Sequence, residues 1–327
     1  MEKLKLGRTG LEVSRLGLGG LFISRFGADF EEARRAVHRA VELGVNYIDT
    51  APGYADSEEV LGRCLAGIDA PLVISTKLGG RPLPFDPRDS EGLRRSVEES
   101  LRLLGRDVID ILMIHEPDRP GQYDWWADPV NFESPVMEVL DELKERGVIR
   151  FTGLGGTTAY EIVPIIRTGR FDVLLTAFNY SLLYREAAIA AIPAAVEEGM
   201  GVVVGSPLQQ GALARRRDDE VARGARWLSP PRRKQFKALY RLCDETGMSL
   251  PEMGLRFVIS NGAVHCVLSG ARSAREAEEN IAHVEKGPLE PGLISRVDEI
   301  AAMVPFRPFE EPFSLPFGRE YRGPGIA

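Results

Sequence analysis

Sulfur and imidazole are scarce in this chain of 327 residues. Its three cysteines, Cys64, Cys243 and Cys266, and four histidines, His38, His115, His265 and His283, are far apart. With no CxxC pair and no Cys/His cluster at ligand spacing, neither a disulfide framework nor a zinc site is indicated, and only an all-carboxylate metal site stays open. Long apolar runs are also missing: Ala187 to Val196 is interrupted by Pro193 and falls well short of the ~18 residues a membrane helix needs. The N-terminus, Met1-Glu2-Lys3-Leu4-Lys5, alternates charged and apolar residues and lacks the features of a signal peptide, so a cytoplasmic protein is expected. Charge is mixed, with 41 Lys+Arg against 48 Asp+Glu and a net charge of −7. The short block Arg215-Arg216-Arg217 is followed at once by Asp218-Asp219-Glu220, which reads as a solvated loop and not as a nucleic-acid stripe.

What is present is a regular alternation. β-branched or leucine-rich runs occur at Arg15–Leu18, Val45–Asp49, Leu72–Thr76, Val108–Ile114, Arg150–Leu154, Val173–Thr176, Gly201–Val204 and Val264–Leu268. They advance by roughly 30 residues, as expected when ~250 residues are shared among eight β-α modules. Helical spacing fills the gaps at Phe30–Leu43, Ser57–Ala66, Ser90–Leu104, Ser134–Glu145, Ala159–Thr168, Glu186–Glu198 and Ser273–His283. The longer last interval holds a charged stretch, Arg215–Arg226, and two helical patterns, Pro231–Thr246 and Pro251–Ser260. The pattern predicts an α/β fold, a (β/α)8 TIM barrel forming one domain over residues 1–327. Residues 1–14, around the turn Arg8-Thr9-Gly10, are expected to form an N-terminal hairpin. Residues 285–327 are expected to add a C-terminal helix and a Phe/Pro-rich tail (Phe306, Phe309, Phe313, Phe317) over the site. An open doubly wound sheet is the competing fold, but Gly17-Leu18-Gly19-Gly20-Leu21-Phe22 lacks the third glycine of the dinucleotide fingerprint.

Active sites of such barrels lie at the C-terminal ends of the strands. There the second strand runs into Asp49-Thr50-Ala51-Pro52-Gly53-Tyr54, the third delivers Lys77 and the fourth His115. An ammonium beside a phenol favours its phenolate, and a carboxylate paired with the lysine fixes that ammonium, so Lys77 and Asp49 are suited to tune Tyr54 for proton transfer. Lys77 alone would also fit a Schiff-base lysine.

The strings Asn-Tyr-Ile-Asp-Thr-Ala-Pro-Gly-Tyr and Asp-Ile-Leu-Met-Ile-His, with Ser206-Pro207-Leu208 and Gly270-Ala271-Arg272-Ser273 followed by Glu279-Asn280, resemble the aldo-keto reductase family over nearly the whole chain. The resemblance implies an NAD(P)(H)-dependent oxidoreductase that interconverts a carbonyl (aldehyde, ketone or aldose) and an alcohol by hydride transfer. It assigns Tyr54 as general acid/base, Lys77 and Asp49 as its tuning groups, and His115 as the residue orienting the carbonyl. It places the cofactor at Gly20, Gly155, Gly156, Thr157, Ser206, Pro207, Leu208, Gly211, Gly270, Arg272, Ser273, Glu279 and Asn280.

Three family contacts to nicotinamide are altered. Gly155-Gly156 replace Ser-Asn, with Thr157-Thr158 offering hydroxyls instead; Ala177 replaces Gln, and Gly205 replaces an aromatic residue. The glycine-rich end of the fifth strand and the small residue before Ser-Pro-Leu resemble the branch that includes L-galactose and D-threo-aldose dehydrogenases. Arg272 suits a 2′-phosphate and Glu276 a free 2′-hydroxyl; the balance is read as NADP(H) over NAD(H). Phe22 and Trp126 are expected to wall the substrate, in loops that also carry Tyr123, Asp118 and Asp124. His38, His265, His283 and Cys64 read as structural. The altered contacts also motivate a second function, a cofactor-sensing subunit with vestigial catalysis like the family's potassium-channel β subunits. The expected partner is a small carbonyl or sugar, with no metal, nucleic acid or membrane.

Overall fold

The computed structural model describes residues 1–27, 29–307 and 315–318. Two short strands, β1 (Lys3–Lys5) and β2 (Glu12–Ser14), pair antiparallel about a turn that closes at Gly10, whose φ of 69° suits glycine. The eight expected strands follow: β3 (Leu16–Gly19), β4 (Tyr47–Asp49), β5 (Val73–Leu78), β6 (Ile109–His115), β7 (Ile149–Gly156), β8 (Val173–Ala177), β9 (Gly201–Gly205) and β10 (Cys266–Gly270). They pair in parallel in chain order, and β10 returns to β3, so the sheet closes into a barrel.

Side chains alternate across this wall. Tyr47, Val73, Ile111, Met113, Val173, Leu175, Val203, Cys266 and Leu268 pack together inside the barrel. Their neighbours Ile48, Ile74, Leu112, Ile114, Leu174 and Val204 face the helices. The hairpin contributes Leu6, Leu11 and Val13 to the inner cluster, and so plugs the N-terminal mouth. Continuing the same alternation along β4, β5 and β6 brings Asp49, Lys77 and His115 to the inside at the opposite mouth.

Helices α1 (Phe30–Glu42), α2 (Ser57–Leu65), α3 (Ser90–Leu104), α4 (Pro135–Glu145) and α5 (Val163–Ile166) lie between β3 and β8. Next come α6 (Glu186–Ile189), α7 (Ala191–Glu197), α8 (Asp218–Arg223), α9 (Pro230–Thr246) and α10 (Leu250–Ile259), with α11 (Ala274–Glu285) and α12 (Pro291–Ala302) after β10. Two expected helices are changed by proline. The Glu186–Glu198 pattern breaks at Ala190, whose φ/ψ of −128/−68 is not helical: Pro193 has no N–H and its ring opposes the carbonyl four residues back. The Ala159–Thr168 pattern, which contains Pro164, keeps only the four residues of α5. The Phe/Pro-rich tail is partly described. Phe306 is exposed, Phe317 packs on Trp227 and Phe236 with ring centroids 4.8 and 5.0 Å away, and Phe309 and Phe313 lie outside the described residues. Among the described residues, no helix is long and apolar enough to cross a membrane, and no cluster of His, Cys, Asp and Glu could hold a metal ion.

Candidate active site

Four side chains from adjacent strand ends meet at the C-terminal mouth. Lys77 Nζ donates to Asp49 Oδ2 at 2.7 Å and to the Thr50 carbonyl at 2.7 Å, and the Lys77 and Asp49 side chains are only 1% and 4% exposed. Ser75 Oγ donates to the other Asp49 oxygen at 3.1 Å. Both carboxylate oxygens are thus used in holding the ammonium and its neighbour. The Lys77 Nζ lies 4.8 Å from the Tyr54 ring centroid. Tyr54 and His115 meet edge to face, centroids 5.8 Å apart at 82°.

The loop that carries Tyr54 is folded tightly. Thr50 Oγ1 donates to Ser57 Oγ, which donates to the Gly20 carbonyl, each at 2.8 Å. Gly20 is required there, because a Cβ would stand 2.8 Å from the Asp49 carbonyl and 2.7 Å from Ser57 Oγ.

Electrostatics partly revise the expected tuning. Burial raises the Tyr54 pKa; Lys77 opposes this as expected, and Asp49 adds to it, with a net shift upward. Tyr54 is therefore a neutral phenol at neutral pH, a form that can give a proton. Burial pulls the Lys77 ammonium down, but Asp49 and Tyr54 more than restore it, so Lys77 is held charged. His115 is lowered to about 3 by burial and then by Lys77; its ring is neutral, and Nδ1 is buried without a hydrogen-bond partner among the described residues.

From this centre a cleft of about 1060 Å³ runs past Gly20, Phe22 and Gly205, along the loop Ser206–Pro207–Leu208, to Gly270, Arg272, Glu276, Glu279 and Asn280. In the β9 loop Ser206, Gln209, Gln210 and Gly211 all have positive φ, and Gln209 ties the loop down through Nε2 to the Phe178 carbonyl at 3.0 Å. At the far end Ser273 caps α11 by accepting from Glu276 N, the Glu276 carboxylate accepts from Arg272 N at 2.8 Å, and Asn280 Nδ2 donates to Ser269 Oγ at 3.1 Å. The Arg272 guanidinium stacks on Phe22, 4.3 Å from the ring centroid. The volume is at the upper end of the ~300–1,000 Å³ usual for small-molecule sites. A long cleft that joins a proton-donating centre to a helix N-terminus fits an extended nicotinamide dinucleotide.

Not every expected residue lines this cleft. Gly155, Gly156, Thr157 and Ser273 are not among its lining residues, nor are Lys77 and His115; of the four clustered side chains only Asp49 and Tyr54 reach its surface. A Cβ on Gly156 would lie 2.1 Å from Ile162 Cδ1, so a family-type Asn there would require the Ile162 side chain to shift. Asp118 Oδ2 accepts from Thr157 N, Thr158 N and Thr158 Oγ1 at 3.0, 2.6 and 2.5 Å. The Thr158 hydroxyl expected to replace the missing Ser-Asn is therefore already engaged, whereas Thr157 Oγ1 is buried without a partner among the described residues.

Phe22 lines the cleft, but Trp126 does not: it is 7% exposed, donates Nε1 to the Pro117 carbonyl at 2.8 Å and packs on Phe132. Trp126 holds the loop together from within. Sequence reasoning missed the opposite wall of the cleft, where Cys243, Asp244 and residues 247–251 join α9 to α10. Gly247 and the capping Ser249 mark that junction between the two expected helices, but nothing in the sequence places it on the cleft.

Comparison with known proteins finds relatives over nearly the whole chain. The sequence profile of the Aldo/keto reductase family matches residues 15–302. The chain is 31% identical to L-galactose dehydrogenase of Arabidopsis thaliana, over 87% of this chain and 88% of that one. It is 30% identical to NADH-specific methylglyoxal reductase of Escherichia coli, over 86% and 93%. The structure is similar to that of aldo-keto reductase AKR11C1 from Bacillus halodurans in its holo form, with a TM-score of 0.77 and 28% identity, covering 94% of this chain and 98% of that one.

Proposed function

Because the chain belongs to the Aldo/keto reductase family, whose members are NAD(P)H-dependent oxidoreductases, we propose that it interconverts a small carbonyl compound or sugar and the corresponding alcohol, with Tyr54 as general acid/base. The observation that carries this reading is the buried Lys77–Asp49 pair at 2.7 Å, set against Tyr54, which lines the cleft, and the His115 ring packed on it. The nicotinamide cofactor supplies or accepts the hydride when bound. In the reducing direction the substrate oxygen lies between Tyr54 and the neutral His115 ring, and Tyr54 gives its proton to the oxygen as negative charge develops there. In the oxidising direction the Tyr54 phenolate takes the proton from the substrate hydroxyl. Lys77, held by Asp49 and Thr50, stabilises the transient phenolate. Ser75 keeps Asp49 directed at the lysine.

Gly20, Ser206, Pro207, Leu208, Gly211, Gly270, Arg272, Glu279 and Asn280 would hold the cofactor, with Gly155, Gly156, Thr157 and Ser273 shaping the backbone beneath them. Phe22 forms a substrate wall. We propose NAD(H) as the cofactor, in place of the NADP(H) that Arg272 alone would favour. The Glu276 carboxylate sits in the first turn of α11, where a 2′-phosphate would meet like charge, and the Arg272 guanidinium is already stacked on Phe22. The name of the NADH-specific relative is in keeping with this. Neutralising the carboxylate by Glu276→Gln should tighten NADP+ binding at least ~5-fold relative to NAD+, by removal of one charge repulsion.

The direct test is steady-state turnover of aldehydes, ketones and aldoses, in both directions, with both cofactors. Turnover of at least one carbonyl–alcohol pair is expected. Tight cofactor binding with turnover near zero across the panel would instead support the cofactor-sensing role.

A further inference from the structure

The proposed chemistry uses only one of two phenols that flank the His115 ring. Tyr123 lies against it as well, with ring centroids 6.5 Å apart and tilted 39°. Its position is set by aromatic packing. Phe85 and Trp125 meet its ring at 5.1 and 5.9 Å, both edge to face. Trp125 Nε1 in turn donates to the His115 carbonyl at 2.9 Å, which fastens the Tyr123 loop to the strand end that carries His115.

The Tyr123 hydroxyl is unspent. The side chain is half-buried, yet no described residue hydrogen-bonds its oxygen. Bare backbone lies in front of it: a Cβ on Gly80 would be 3.3 Å from that oxygen and 3.7 Å from Gly53 Cα, and one on Gly79 would be 3.3 Å from Tyr123 Cε2 and 3.0 Å from His115 Cβ. Gly79 and Gly80 have φ of 138° and 86°, which glycine alone adopts readily. Gly53 immediately precedes Tyr54. A packed phenol therefore sets its hydroxyl, unpartnered among the described residues, beside the Gly80 and Gly53 backbone that adjoins Tyr54 and His115. Tyrosine placed in this way supplies contact area and one directed hydrogen bond at little entropic cost.

We propose that Tyr123 is a specificity-determining residue whose hydroxyl bonds an oxygen substituent of the substrate other than the reacting carbonyl. The site then prefers carbonyl compounds with a neighbouring hydroxyl or second carbonyl over bare aldehydes of the same length. This inference rests on the carbonyl-converting reading of the site. A site built to hydrogen-bond a substrate hydroxyl rejects an analogue that lacks it by tenfold or more, because the protein group is left unpaired.

The test compares glyceraldehyde with propanal in the wild type and in Tyr123→Phe, a variant that keeps the ring contacts with Phe85 and Trp125. The kcat/KM ratio of glyceraldehyde to propanal should fall roughly tenfold in the variant, mainly through the KM for glyceraldehyde. An unchanged ratio would overturn the proposal, as would a fall arising wholly in kcat for both substrates. If the wild type turned over neither compound, it is the carbonyl-converting reading that would be in question. Equilibrium binding of the two compounds to Tyr54→Phe protein, with and without Tyr123→Phe, still decides the role of Tyr123. Weaker glyceraldehyde binding upon adding Tyr123→Phe supports the proposal, and equal binding contradicts it.

Discussion

Replacing Lys77 with methionine removes the ammonium while keeping most of the side-chain volume, and leaves the Asp49 carboxylate at the barrel mouth with Ser75 as its remaining side-chain partner. Asp49 is 3% exposed, and burial already raises its pKa against the pull of Lys77 and Ser75. Without the ammonium it escapes the charge penalty by taking a proton. At pH 7 this costs up to 1.36 kcal/mol for each of the ~3 units separating pH 7 from the unfolded carboxylate value of ~3.9, or about 4 kcal/mol. The figure agrees with the ~3–5 kcal/mol found when one partner of a buried pair is removed.

The sign with pH follows from the same argument. In the variant the folded pKa of Asp49 lies above its unfolded value, so its contribution is most favourable in acid and is lost as pH rises above ~4, by up to about 1.4 kcal/mol per unit. The stability gap between Lys77→Met and wild type should therefore narrow to about 1.5 kcal/mol at pH 5. The double variant with Asp49→Asn should recover much of the loss at pH 7. Urea denaturation at pH 5, 6 and 7 measures all three quantities. A gap at pH 7 below about 1 kcal/mol, or one that widens toward acid, would refute a buried, paired Asp49.

Two further outcomes follow from other parts of the structure. His115 is held near 3 against an ordinary 6.5, so as pH falls below 6.5 the unfolded chain binds a proton that the native ring refuses; stability should drop by up to about 1.4 kcal/mol per unit. His115→Gln, which cannot titrate, should flatten this acid slope in denaturation curves at pH 4.5 to 7, and an unaltered slope would assign the acid sensitivity to other groups. A Cβ on Gly62 would lie 2.0 Å from the Leu103 carbonyl oxygen, so Gly62→Ala must push α2 away from α3, lowering stability by about 1–3 kcal/mol in thermal or urea unfolding. No measurable loss would mean that the two helices do not pack this closely.

The barrel was legible because each inner strand carries apolar residues on both faces. Runs such as Val173–Ala177 and Gly201–Gly205 stand out between charged helices. The meeting of Asp49, Tyr54, Lys77 and His115 was legible because period-two alternation carries Asp49, Lys77 and His115 to one mouth of the barrel and Tyr54 follows on the loop after Asp49. Less could be read where three-dimensional packing decides between equal residue types. Trp125 and Trp126 are adjacent and chemically alike, yet one braces the strand end that bears His115 while the other bonds Pro117. The helices α9 and α10 were legible as the patterns Pro231–Thr246 and Pro251–Ser260, but that their junction walls the cleft was not, because it depends on how the pair packs against the barrel mouth. The net direction of the Tyr54 shift could not be read either, since it depends on how far burial outweighs a neighbouring ammonium.

The central claim is that Tyr54 gives and takes the proton at a centre assembled by Asp49, Lys77 and His115. Single-turnover kinetics of wild type and Tyr54→Phe, on whichever carbonyl the panel identifies and with cofactor affinity measured in parallel, tests this most directly. The account predicts a rate lower by about 10²–10⁴-fold with cofactor affinity preserved, the size expected when a positioned general acid is removed. A variant that turned over at the wild-type rate would contradict it.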